Sequence, residues 1–135
     1  MSERKCVLLV DDEPDISKTV VFRLKKAGYQ IITAENGKTG LELARKERPD
    51  LILLDLRVPV MDGCEVCQRL KSDDNFKEIP VIFLTASMVD KITDKIKEFG
   101  AEDYIIKPFE SEELLNKVKK YWINKRLGSE GSKRH

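Results

Sequence analysis

The chain has 135 residues, 41% hydrophobic and 36% charged, a balance that supports one globular domain and excludes disorder along its whole length. Lys plus Arg number 25 against 24 Asp plus Glu, a formal net charge of +1, so bulk charge gives no argument for nucleic acid or an anionic membrane as a direct partner. The longest aliphatic runs, Val7–Val10 and Leu51–Leu54, fall far short of the ~20 apolar residues of a membrane span, and Asp11 cuts off the apolar stretch that a secretory signal needs; the expected compartment is the cytoplasm.

Apolar runs and helical patterns then alternate. Lys5–Val10 reads as a buried strand. Pro14 opens a helix whose apolar stripe is Ile16, Val20, Leu24 and Ala27, and Gly28 stops it. Gln30–Ala34 is a second strand. Asn36-Gly37 marks a turn into a helix with Leu41 and Ala44 facing inward, which ends before Pro49. Leu51–Leu54 is a third strand, apolar on both faces, which belongs in a sheet covered on both sides. After the loop Val58–Gly63, Cys64, Cys67 and Leu70 mark a third helix. Pro80–Leu84 is a fourth strand, and Ile92, Ile96 and Phe99 a fourth helix closed by Gly100. Asp103–Ile106 is a fifth strand, and Glu110–Ile123 a fifth helix with Leu114, Leu115, Val118 and Trp122 as its stripe. Five strand–helix units at this spacing imply an α/β fold: a five-stranded parallel sheet, doubly wound, sandwiched by helices.

In such a sheet the ligand site lies beyond the carboxyl ends of the strands. Strand one ends in Asp11-Asp12-Glu13, strand three in Asp55, strand four in Thr85 followed by Ala86 and Ser87, and strand five in Lys107-Pro108. Converging carboxylates repel unless a cation neutralises them, and a hard divalent ion such as Mg²⁺ takes carboxylate oxygens and keeps exchangeable waters. Lys107 supplies a compact positive charge and Thr85 a hydroxyl, both suited to a phosphoryl group. No His lies nearby to activate a serine, so the nucleophile is a carboxylate. Asp55, ending a buried central strand between Leu54 and Leu56, is the candidate, with Asp11 and Asp12 as metal holders; Asp12 reads equally well as a cap for the following helix.

These residues resemble the receiver domain of two-component response regulators. The likeness covers residues 5 to 124 and rests on Leu8-Leu9-Val10-Asp11-Asp12-Glu13, Asp50-Leu51-Ile52-Leu53-Leu54-Asp55, Pro59-Val60-Met61-Asp62-Gly63, Leu84-Thr85-Ala86, and Ala101-Glu102-Asp103-Tyr104 leading to Lys107-Pro108-Phe109. It implies that Asp55 accepts a phosphoryl group from a phosphohistidine on a sensor kinase or histidine phosphotransfer protein. It implies Mg²⁺, or Mn²⁺, held by Asp12, by Asp55, by the backbone carbonyl of Arg57, and by Asp11 through water. Lys107 would pair with the phosphoryl group before a cis bond to Pro108, and Thr85 and Tyr104 would be the switch pair. Arg57 and Ser87 would tune the lifetime of the acyl phosphate, and Val58 replaces a frequent Met. Such a domain catalyses its own phosphorylation, and often its own dephosphorylation, but works as a signalling switch rather than a conventional enzyme. Its output would be altered binding of a downstream target, or of a missing effector domain, and possible self-association through helix four, strand five and helix five.

Rival readings are weaker. A phosphatase with an Asp nucleophile wants a second Asp at position 57, which is Arg. A nucleotide-binding domain wants a Gly-rich turn where Asp11-Asp12-Glu13-Pro14 stands. A phosphorylation-independent interaction module of the same fold is the remaining alternative. Cys64-Glu-Val-Cys67 has no second pair, and His135 is the sole His, so these cysteines read as small apolar residues of a helix rather than zinc ligands. Met1–Asn124 is expected to form the domain. Lys125–His135, with four basic residues against one acidic and the flexible stretch Gly128–Ser132, reads as a basic tail or a cut linker.

Overall fold

Runs of apolar residues on both faces of the central strands, such as Val7–Val10 and Leu51–Leu54, demand cover on both sides of the sheet, and the chain supplies it. The computed structural model describes residues 5–86 and 92–121. Its strands are β1 (Cys6–Val10), β2 (Gln30–Ala34), β3 (Leu51–Asp55), β4 (Val81–Thr85) and β5 (Asp103–Ile106), all parallel, in the order β2-β1-β3-β4-β5. The helices are α1 (Pro14–Lys26), α2 (Gly37–Glu47), α3 (Gly63–Lys71), α4 (Ile92–Phe99) and α5, described over 111–121. Ser87, Trp122, Ile123 and the tail Lys125–His135 lie outside the described residues.

Side chains of a strand alternate between faces, and two cores result. Leu8, Val10, Ile52, Leu54, Val81 and Phe83 pack with Leu41 and Ala44 of α2, Val66, Cys67 and Leu70 of α3 and Ile92 of α4. Val7, Leu9, Leu51, Leu53, Ile82, Leu84 and Ile105 pack with Val20 and Leu24 of α1 and with Leu114 and Val118 of α5. The doubly wound sandwich expected from the sequence is thus formed. Strand order reverses between β1 and β3, which brings the end of β1 beside the end of β3.

Helix starts follow local chemistry. Asn36 caps α2 by accepting from Thr39 N at 2.8 Å, and Asp62 caps α3 by accepting from Glu65 N at 3.0 Å. Two readings change. Ala27 does not belong to the buried stripe of α1: it is exposed and sits at the C-cap, one residue before Gly28 turns the chain with φ 96°. Nor is Asp12 the cap of α1. With Pro14 in the first turn the N-cap falls on Glu13, whose side chain makes no capping bond.

Candidate functional site

The sheet register decides what meets at the carboxyl edge. Asp55 is the last residue of β3, opposite Leu84, and Thr85 is the last residue of β4, opposite Ile106. The amide of Lys107 donates to the Thr85 carbonyl at 2.7 Å, so β4 directly positions the lysine. Among the described residues the buried polar or charged side chains are Asp11, Asp55, Thr85 and Lys107, and all four stand at this one edge. Burying such groups is costly unless they are paired, so their convergence marks the candidate site.

Lys107 Nζ is the hub. It donates to Asp55 Oδ2 at 2.8 Å and to Glu13 Oε1 at 2.6 Å, and forms an ion pair with Asp11 Oδ2 at 2.9 Å. Backbone amides hold the other carboxylate oxygens: Arg57 N donates to Asp55 Oδ1 at 2.9 Å, and Glu13 N to Asp11 Oδ1 at 2.8 Å. Burial alone would lower the lysine's pKa, but the hydrogen bonds to Asp55, Glu13 and Asp11 hold it well above the usual value. For Asp11 burial wins: its carboxyl is raised, despite the Glu13 amide and the Lys107 ammonium, with the Asp55 charge adding to the rise.

The donor set fits a hard cation. One oxygen each of Asp11, Asp12 and Asp55 can be chosen so that all lie within 4.8 Å of one another. Asp11 Oδ2 is fully buried and, although it pairs in charge with Lys107, it makes no hydrogen bond. An all-oxygen, anionic cluster with an orphaned buried oxygen suits Mg²⁺ rather than zinc or copper. A small cleft lined by Asp12, Glu13, Asp55, Arg57, Thr85, Ala86 and Lys107 opens from the cluster to solvent.

The loop after β3 frames this cleft. Gly63 N donates to the Leu56 carbonyl at 3.0 Å, and a Cβ at Gly63 would collide with the Asp55 carbonyl oxygen. Met61 N donates to the Pro59 carbonyl at 2.8 Å, closing a turn in which exposed Val60 is held at φ 72°. Gly37 N, from α2, donates to the same Pro59 carbonyl at 3.1 Å. Farther along the edge strand β5, Tyr104 is half-buried against the α2–α3–α4 core, with the Lys117 ammonium 5.1 Å above its ring.

The residues singled out in the sequence therefore come together at one edge: Asp11, Asp12, Asp55, Thr85 and Lys107, with Arg57 exposed at the rim and Tyr104 within β5, three residues before Lys107. The Lys107–Pro108 bond is cis, as the resemblance implied. Ser87 falls outside the described residues. Sequence reasoning assigned no role to Glu13, which makes the shortest contact to Lys107; the run of three acidic residues after β1 was the available signal.

A doubly wound parallel sheet carrying an acidic cluster and a lysine at its switch point defines the class, and comparison with known proteins gives the family. The profile of the response regulator receiver domain matches residues 7–119, and the chain belongs to that family. It is 47% identical over 115 residues to the DNA-binding dual master transcriptional regulator RpaA of Synechocystis, a match covering 84% of this chain and 47% of RpaA. The chain thus spans about half the length of this curated relative. Among solved structures, the chemotaxis response regulator CheY4 of Vibrio cholerae superposes with a TM-score of 0.83 at 33% identity, covering 88% of this chain and 99% of that one. The receiver domain of a sensor histidine kinase from Pseudomonas aeruginosa, with a magnesium ion coordinated in its active-site cleft, matches with a TM-score of 0.82 at 28% identity, over 89% of this chain and 98% of that one. Among the described residues no helix is long and apolar enough to cross a membrane.

Proposed function

We propose that the chain takes a phosphoryl group from a phosphohistidine onto Asp55 and that the resulting acyl phosphate switches a partner-binding surface. The observation that carries this reading is the Lys107 ammonium 2.8 Å from Asp55 Oδ2, on a carboxylate already flanked by Asp11 and Asp12. An Asp55 carboxylate oxygen attacks phosphorus; the P–N bond breaks, and the imidazole keeps the electron pair and takes up a proton from solvent. Lys107 neutralises the phosphoryl oxygens, and the Thr85 hydroxyl donates to one of them. Asp11, Asp12, Asp55 and the Arg57 carbonyl would hold Mg²⁺, which when bound neutralises charge on the phosphoryl oxygens. Arg57 N–H, already bonded to Asp55 Oδ1, fixes the orientation of the nucleophile.

Movement of Thr85 and Lys107 toward the phosphoryl group transmits the event, because both belong to the ends of β4 and β5 and share a backbone hydrogen bond. Tyr104 on β5 is the marker of the second state, and the α4–β5–α5 surface the one that changes. The donor is a sensor kinase or a histidine phosphotransfer protein. The recipient of the signal is a target protein, a second copy of the chain, or an effector domain of the kind that a DNA-binding relative about twice this length would carry. The proposed compartment is the cytoplasm, consistent with three free thiols at Cys6, Cys64 and Cys67.

The test is intact mass after incubation with Mg²⁺ and acetyl phosphate. One added phosphoryl group in the wild type and none in Asp55→Asn is the expected result. No adduct in the wild type, together with no binding of beryllofluoride, would replace the phosphoryl reading with that of a constitutive interaction module.

A further inference from the structure

Three carboxylates surround one ammonium at the site, and they are not equivalent. Asp11 and Asp55 are buried, and each has its other oxygen fixed by a backbone amide. Glu13 is different: its side chain is 56% exposed, while the Lys107 side chain that it reaches is only 7% exposed. It stands at the N-cap of α1, where a Ser, Thr, Asp or Asn would bond the free amides, yet it makes no such bond and extends to Lys107 Nζ instead. The contact, at 2.6 Å, is the shortest of the lysine's three.

An ammonium has three protons to give. In this state it donates to Asp55 and Glu13, while Asp11 stands against it as an ion pair without a hydrogen bond. A phosphoryl group on Asp55 brings new anionic oxygens into the cleft that Glu13, Asp55, Thr85 and Lys107 line. One of the three contacts must yield to it. Asp11 is buried with its other oxygen held by the Glu13 amide, so it has no solvent to turn to, and Asp55 carries the phosphoryl group itself. Glu13 is the contact that can go, because its carboxylate re-enters water at little cost.

From this we infer that Glu13 is a positioning residue: a solvent-side tether that holds Lys107 in the unphosphorylated state and competes with the phosphoryl group for its ammonium. The inference rests on the proposed role of Asp55. Its consequence is that Glu13 sets how readily the phosphoryl-bearing state forms, independently of the metal.

Two variants separate the tether from mere charge. Glu13→Gln removes the charge. Glu13→Asp keeps it but is one methylene too short to make the same contact. Beryllofluoride, titrated at saturating Mg²⁺, is the phosphoryl mimic. Both variants are expected to bind it roughly two- to fivefold more tightly than the wild type, the range that loss of one partly exposed ion pair supports. Tighter binding by Glu13→Gln alone would reduce the effect to general charge and overturn the tether, as would unchanged binding in both. The Lys107 ammonium resonance, assigned by its loss in Lys107→Met, gives a readout that needs neither metal nor phosphoryl group. It is expected to shift or broaden in both Glu13 variants, and an unchanged signal overturns the tether. If that signal responds but the wild type binds no beryllofluoride, the role of Asp55 falls, and the competition with it, while the contact in the resting state stands.

Discussion

Each end of the sheet carries a lysine among acceptors, and the two clusters are built differently. At the amino end, Lys71 Nζ donates to the carbonyls of Lys77 and Ile79, at 3.0 and 2.8 Å, and to Glu102 Oε2 at 3.0 Å. The other oxygen of Glu102 accepts from Val81 N at 2.7 Å. One cation meets one carboxylate, and both oxygens of that carboxylate are hydrogen-bonded, so the cluster simply latches α3 and the following loop to the starts of β4 and β5. At the carboxyl end, Lys107 faces Asp11, Glu13 and Asp55 with Asp12 nearby, and Asp11 Oδ2 has no hydrogen bond. A balanced cluster stabilises; an unbalanced one stands ready for further positive charge. The difference separates a structural ion pair from a candidate site more sharply than burial of any one residue.

The contrast breaks down if the two clusters answer alike to metal and mutation. The largest effect is expected from Lys107→Ala in EDTA, which leaves Asp11 and Asp55 buried without their cation and should cost about 3–5 kcal/mol in urea unfolding, much of it recovered with Mg²⁺. Magnesium at about a hundred times its dissociation constant should add about 2.7 kcal/mol to the wild type. That gain should disappear in Asp12→Ala; a full gain there would remove Asp12 from the metal site. Next comes the amino end: Glu102→Ala leaves the buried Val81 N–H unpaired and should cost about 2 kcal/mol, with the magnesium response intact. A magnesium response altered in that variant would show the two ends to be coupled.

The pH dependence sharpens the same comparison. Burial pushes Asp103 up, but hydrogen bonds from Tyr104 N, Tyr121 OH and Lys117 outweigh it and hold the carboxyl below its ordinary value of 3.8. A depressed carboxylate stabilises the fold above its unfolded pKa, and that contribution is lost as pH falls through the folded value. Urea midpoints in EDTA should therefore fall with acidification less steeply in Asp103→Asn than in the wild type. The smallest effect is local. Val60 sits at φ 72°, a region that disfavours β-branched residues, so Val60→Asn should gain about 0.5 kcal/mol in thermal unfolding without changing the outcome of the acetyl phosphate mass test.

The sequence by itself determined the sheet and the edge. Unbroken apolar strands such as Leu51–Leu54 require helices on both faces, and the acids after β1 and β3 and the Lys107-Pro108 step after β5 mark one end. Unbroken apolar runs, helical spacing and strand-end chemistry are local, so they are legible without coordinates. Helix ends were less so: Ala27 suited the apolar spacing of α1, but the helix stops where Gly28 reverses the chain. Only the tertiary structure decided how the acids divide their work. Which of Asp11, Asp12 and Glu13 is buried, exposed to a cation or drawn to Lys107 depends on the direction in which each leaves β1 and on the approach of Lys107 after β5, 94 residues from Glu13 in the chain. Three adjacent carboxylates look alike in a sequence; their differences come from solvent and from a single ammonium that the fold brings to them.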